Sequence, residues 1–251
     1  MKNILAPVCF SLVLANYSFS QNLPAIQTDR PDQTECPFIT PTNYIQLENG
    51  FIYEKSVEHS KKIIAPTVLT KFGINDSFEL RLITEFNIES NDSKTISGII
   101  PIAIGFKTKL LEEKGIIPTT SFIGHLHFPK IASPTYKANF YAPAFRFTMQ
   151  HTLSNKQTLS YNLGAEWDGE TAKTTLIYTL TTGYSFTEKM SAYIELYGFI
   201  PQTETPDHRF DAGIVYLLNP NHQLDISSGI WQTQKSLTYF ISFGYSFRFK
   251  I

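Results

Sequence analysis

The sequence predicts an all-β fold, a transmembrane antiparallel up-and-down β-barrel of about twelve strands. Three observations carry that prediction: an N-terminal export signal, aromatic residues alternating with polar ones, and short links alternating with longer ones. Composition agrees. Of 251 residues, 42% are hydrophobic and only 17% charged, which argues against disorder, and 20 Phe with 13 Tyr against 3 Met favour strands and membrane interfaces. With 21 basic and 22 acidic residues, nothing in the charge balance calls for a nucleic-acid partner.

Residues 1–20 read as a cleaved signal peptide. Lys2 supplies the charged start, Ile4 to Leu14 the short apolar run, and Ser18-Phe19-Ser20 a small-x-small cleavage site before Gln21. Cys9 lies within that signal, so the mature chain keeps Cys36 alone and has no intramolecular disulfide. Residues 21–43 form an N-terminal periplasmic segment without alternation, and residues 44–251 form the barrel. After the signal no apolar run approaches the length of a spanning helix.

Alternation is clearest at the C-terminus. Tyr239, Ile241, Phe243, Tyr245, Phe247 and Phe249 interleave with Ser242, Gly244, Ser246, Arg248 and Lys250, Phe240 being the exception on the polar face. Leu159, Tyr161, Leu163, Ala165 and Trp167, and then Leu176, Tyr178, Leu180 and Tyr184, repeat the pattern upstream. Strands are expected near 44–54, 63–74, 78–87, 97–110, 116–128, 139–153, 157–168, 173–186, 190–200, 208–218, 222–231 and 238–250. Every second link is a tight turn, at 75–77, 111–115, 154–156, 187–189 and 219–221. The links between them are mostly longer and polar. That arrangement puts both chain ends in the periplasm.

A charge facing lipid at mid-membrane costs roughly 2 to 4 kcal/mol for Lys or Arg, so the charged positions fix which face of each strand points inward. Glu48, Lys71, Glu79, Arg81, Glu85, Lys107, Lys109, Arg146, Glu166, Glu195, Asp211, Asp225, Arg248 and Lys250 are expected on the lumen face. Phe145, Phe147, Leu176, Leu180, Phe243 and Phe247 should face lipid, with Thr179 and Gly244 inward. Glu48 should meet Arg248 or Arg81 across the seam. Such a lumen either lines a solute path or is cross-braced by ion pairs and closed.

Other chemistry finds little support. His151, Ser154 and Asn155 are residue types that hydrolases use, but a nucleophile needs its base within hydrogen-bond reach, and Ser154 lies in a predicted turn. His125 and His127 share a strand face without a third ligand in sequence. No phosphate-cradling or dinucleotide-binding glycine pattern is present, so no cofactor is expected. Outer-membrane lipid, the barrel-insertion machinery acting through the C-terminal strand, and an unidentified small solute are the expected partners.

The runs Thr28-Asp29-Arg30-Pro31-Asp32-Gln33-Thr34-Glu35-Cys36-Pro37 and Gln46-Leu47-Glu48-Asn49-Gly50-Phe51-Ile52-Tyr53 carry a family resemblance. Phe72-Gly73-Ile74, Glu79-Leu80-Arg81, Gly105-Phe106-Lys107 and Leu110-Leu111-Glu112-Glu113-Lys114-Gly115 continue it. The chain resembles the outer-membrane proteins grouped as transporters of the meta-pathway of phenol degradation. That resemblance implies a barrel and a passage for small solutes, aromatic ones among them. A structural or surface-interaction barrel without transport is the alternative function.

The charged residues Asp29, Arg30, Asp32 and Glu35 give the N-terminal segment a possible destination. Its acids would meet the cations expected at the periplasmic mouth, making the segment a plug or gate. A disordered periplasmic tail is the alternative.

Overall fold

A computed structural model describes residues 23–56, 60–232 and 237–251. The signal peptide expected at residues 1–20 lies outside the described residues, as do parts of the links at 55–62 and 232–237. The strands are β1 (Tyr44–Ser56), β2 (Lys61–Asn75), β3 (Phe78–Ser90), β4 (Thr95–Ile99), β5 (Ala103–Leu111), β6 (Thr119–His127) and β7 (Ala142–Thr152). They continue with β8 (Gln157–Trp167), β9 (Thr174–Ser185), β10 (Met190–Pro201), β11 (Asp207–Asn219), β12 (His222–Gln232) and β13 (Leu237–Lys250). Each pairs antiparallel with its neighbours, and β1 pairs with both β2 and β13, so the sheet closes on itself. Closure removes the strand edges at the β1–β13 seam; among the described strands β4 alone pairs with a strand on one side only, loop residue Ser133 bonding its other edge at Ile99.

One expected strand is broken. The stretch 97–110 is two pieces, β4 on the outer part of β3 and β5 on its periplasmic part, and together they occupy one position in the wall. Pro101 has no N–H for the ladder. The amide of Ile102 donates instead to Ile131 O at 3.2 Å, and those of Ile99 and Ser133 bond across the gap. The loop 128–141, with its short 3-10 turn Pro134–Tyr136, therefore packs at the break. The wall still counts twelve positions, as the alternation predicts.

Four of the five tight turns share one device. Asn75 Oδ1 accepts from the amide of Ser77, Asn219 Oδ1 from Asn221, Ser154 Oγ from Lys156 and Gln157, and Thr187 Oγ1 from Lys189 and Met190. Such side-chain acceptors close a reversal without help from another element. Outside, Asp168 does the same for its longer loop, and the amides of Thr171 and Glu170 hold its carboxyl below the usual range.

Polarity is inverted relative to a water-soluble protein. Leu163, Leu176, Ile194 and Leu196 are more than half exposed, whereas Lys71, Glu79 and Lys107 are at most 1% exposed. No aqueous fold gains from that arrangement; a barrel in lipid does. The expected phase holds: Phe147, Leu180 and Phe243 are exposed, and Thr179 is buried inward. Phe145 is partly covered by the rings of Phe122, Phe147 and Trp167.

Candidate functional site

The lumen contains the chain's own N-terminal segment. Pro24, Pro31, Pro37 and Pro41 keep residues 23–43 out of any ladder, so their backbone donors need other acceptors. Barrel carboxylates supply them. Glu48 Oε2 accepts from the amides of Asp29 and Arg30 at 2.9 and 3.2 Å, Glu195 from Gln33 at 2.8 Å, and Glu79 from Thr40 at 2.7 Å.

The path can be followed around the wall. Ile26 donates to Pro220 O at 2.8 Å, and Thr28 accepts from Gln223 at 2.7 Å. Thr34 Oγ1 reaches Thr179, Thr181 and Glu195 at 2.6, 2.7 and 2.5 Å, and Asn162 bonds both the amide and the carbonyl of Glu35. Ser121 donates to Pro37 O at 2.5 Å before the chain turns back past Thr42 and Asp76 into β1. Contacts on opposite walls can be made at once only from inside.

Charge sorts the lumen across its width. Lys71, Arg81 and Lys107 on β2, β3 and β5 converge on Asp29 at 3.1, 2.8 and 2.9 Å. Arg81 also pairs with Glu35 at 2.7 Å and Glu79 at 3.1 Å. Asp225 on the facing wall takes Arg30 at 2.9 Å, and Ser242 accepts from the same guanidinium at 2.8 Å. Breaking a buried pair from one side costs about 3 to 5 kcal/mol, because the remaining charge is left without partner or water. Segment and wall therefore hold each other.

Two expectations about these charges are corrected. Glu48 pairs with Lys71 at 2.5 Å, not with Arg248 or Arg81, because the register sets Lys71 opposite Gln46, diagonal to Glu48. Asp29 and Glu35 meet the cations, but Asp32 lies instead beside the acids Glu195 and Asp211.

The other expected lumen residues divide by depth. Glu85 is half-buried and accepts from Thr67 at 3.2 Å, and Arg146 donates to Gln33 O at 3.0 Å. Glu166 borders an outer cavity of about 250 Å³ together with His127 and Trp167. At the periplasmic rim Lys109 pairs with Glu112 at 2.6 Å, Arg248 donates to Asn221 Oδ1 at 2.9 Å, and Lys250 is exposed. His125 accepts from Arg81 Nε at 3.1 Å. Among the described residues no group of three His, Cys, Asp or Glu is placed to hold a metal ion. His151 contacts Tyr161 at 3.3 Å, while the Ser154 hydroxyl closes its turn.

Two features escaped the sequence reading. Gly50 and Gly244 are cross-strand partners, and a Cβ on either would collide with the Arg30 side chain, so together they cut the notch through which Arg30 reaches Asp225. Above the charged layer, Tyr197, Arg209 and Trp231 form one cross-strand row, with Phe240 beside Trp231. Arg209 lies 4.1 Å from the Trp231 ring and 5.1 Å from Phe199, its guanidinium held by Asp207 at 2.6 Å. Phe240, an aromatic on an otherwise polar face, was the sequence signal for this layer. Trp231 also borders a cavity of about 530 Å³ at the outer mouth, and a second of about 460 Å³ lies between the segment and the periplasmic ends of β8–β11.

Comparison with known proteins places the fold. The fold is similar to the crystal structure of an outer membrane channel from Pseudomonas putida F1, with a TM-score of 0.66 at 12% identity over 89% of this chain and 100% of that one. It is also similar to the NanC porin, with a TM-score of 0.59 at 10% identity over 80% and 98% of the two chains. No curated protein matches in sequence. The family described as "Putative MetA-pathway of phenol degradation" matches residues 28–249, and the chain belongs to that family.

Proposed function

We propose that this protein is a bacterial outer-membrane channel for small, largely apolar solutes, closed at rest by its N-terminal segment. The observation that carries the reading is the fit between segment and lumen. Wall charges that would be costly to bury alone are satisfied by residues 28–40, and glycines clear the space those residues need. A merely structural barrel could fill its lumen with strand side chains. A separable segment that fills it can also leave it.

The outer layer supports the solute class. Tyr197, Trp231 and Phe240 are buried and set a layer of ring faces and edges inside the outer mouth, which suits a flat apolar molecule better than a hydrated sugar; the mouth cavity of about 530 Å³ that Trp231 borders is otherwise lined mostly by charged and polar residues. Lipid covers the exposed leucines and rings outside. The strand Leu237–Lys250, with Phe243 and Phe249 outward, is the element offered to the insertion machinery.

Liposomes containing the mature protein should take up a single-ring aromatic faster than a sugar of equal mass. Trp231→Ala should slow the aromatic several-fold and leave the sugar unchanged. If neither solute enters faster than in protein-free liposomes, even with the segment deleted, the structural-barrel reading stands instead.

A further inference from the structure

Segment and wall are matched in sign at each ion pair, and mismatched at one place. Glu195 and Asp211 are direct cross-strand partners on the lumen face, 1% and 2% exposed. Asp32 of the segment precedes Gln33, whose amide bonds Glu195, and borders the same cavity as Thr181 and Tyr193, so a third acid lies on this side of the lumen. No described cation forms an ion pair with any of the three. Arg209, two residues from Asp211, is engaged by Asp207 and Trp231, and Arg30 is engaged by Asp225.

The two wall carboxyls are unequally served. Glu195 accepts from the Gln33 amide, Thr34 and Thr181, at 2.8, 2.5 and 3.0 Å, a set that suits a carboxylate. Asp211 receives one long contact, 3.4 Å from the Tyr193 hydroxyl, and its Oδ1 is buried without a partner. Ser227 Oγ, on the neighbouring strand, is also buried without one. A well-served carboxylate next to a poorly served one lacks a positive charge and a donor. A proton supplies both in the space available, and no three-ligand metal geometry is present among the described residues.

We propose that Glu195 and Asp211 form a proton-binding site that latches the N-terminal segment, a role that rests on the segment closing the lumen. With one shared proton the pair carries a single charge, and Asp32 can lie against it. Without that proton Asp32 docks on the same side of the lumen as two buried carboxylates. Docking thus favours the proton-bound pair, and by linkage loss of the proton disfavours docking. The latch holds at low pH and weakens as pH rises through the pair's upper ionisation.

Tyr193 and Tyr197 on β10, Arg209 on β11, Asp225 with Arg30 on β12, and Asp29 on the segment are the other ionisable groups around it. The cavity of about 460 Å³ is lined by Asp32, by Thr181 and Tyr193, whose hydroxyls contact Glu195 and Asp211, and by residues of the periplasmic turns, so the periplasmic side comes within one side chain of the pair.

The test uses the full mature protein in bilayers. Infrared spectra at neutral pH should show a protonated-carboxyl band that Asp211→Asn removes; Glu195→Gln should remove it too and serves if the first variant folds poorly. Conductance should rise several-fold from acid to alkaline pH in the natural protein. It should stay low throughout in Asp211→Asn, whose amide mimics the protonated acid, and rise only at higher pH in Asp32→Asn. Identical bands in natural protein and both variants, or an unchanged pH rise in Asp211→Asn, would overturn the proposal. So would a conductance change that requires added sodium or calcium at fixed pH, since the site would then bind a metal cation. If deleting the segment leaves conductance unchanged, the closing role fails, while the infrared band still decides the pair.

Discussion

Deleting residues 22–40 from the mature chain will raise single-channel conductance several-fold in planar bilayers. Residues 28–40 bridge the cation wall and the acid wall inside the lumen, so their removal should open its width. The barrel should survive the deletion. Lys71 keeps Glu48, and Arg81 keeps Glu79, while Lys107, 4.0 Å from Glu79, becomes hydrated once water enters. Asp29→Asn should give part of the effect, because Lys71, Arg81 and Lys107 all converge on that carboxylate. Asp32→Asn should move conductance the other way, since Asp32 faces acids. A deletion that folds and conducts like the parent would make the segment a passive filler.

Leu180→Arg will impair folding far more than Ser160→Arg. Leu180 is 46% exposed on the outer face of β9, where lipid cannot hydrate a guanidinium, and the cost is about 2 to 4 kcal/mol at the midplane. Ser160 faces inward and borders the cavity of about 460 Å³, so an arginine there can reach water. Thr179 is the less suitable inward control because Thr34 bonds to it. The fraction showing a heat-modifiable gel shift, and the urea midpoint for refolding into vesicles, measure the difference. Equal tolerance at the two positions would reject the assigned strand phase.

The strands were legible because their period of two is written twice, as rings outside and as charges inside. The same signal runs through Pro101 without interruption, which is why β4 and β5 read as one strand; only the missing N–H marks the break. Alternation assigns a face but not a partner. Glu48 and Lys71 were both placed inward from sequence, yet their pairing depends on a register that alternation does not contain. The N-terminal segment has no period at all, so its charges suggested a destination and nothing gave its path. Gly50 and Gly244 carry no sequence signal for their role, which comes from the Arg30 side chain packed against both.

A reversible lock on the segment tests the central claim most directly. The hydroxyls of Thr34 and Thr181 are 2.7 Å apart, close enough for cysteines at both positions to bridge in a Cys36→Ser background. Oxidised, Thr34→Cys with Thr181→Cys should give a folded barrel that admits no aromatic solute into liposomes; reduction of the same sample should restore uptake to the level of the unlocked protein. Equal uptake before and after reduction, with the bridge verified by mass, would contradict the account, because solute would then be passing a segment that cannot move.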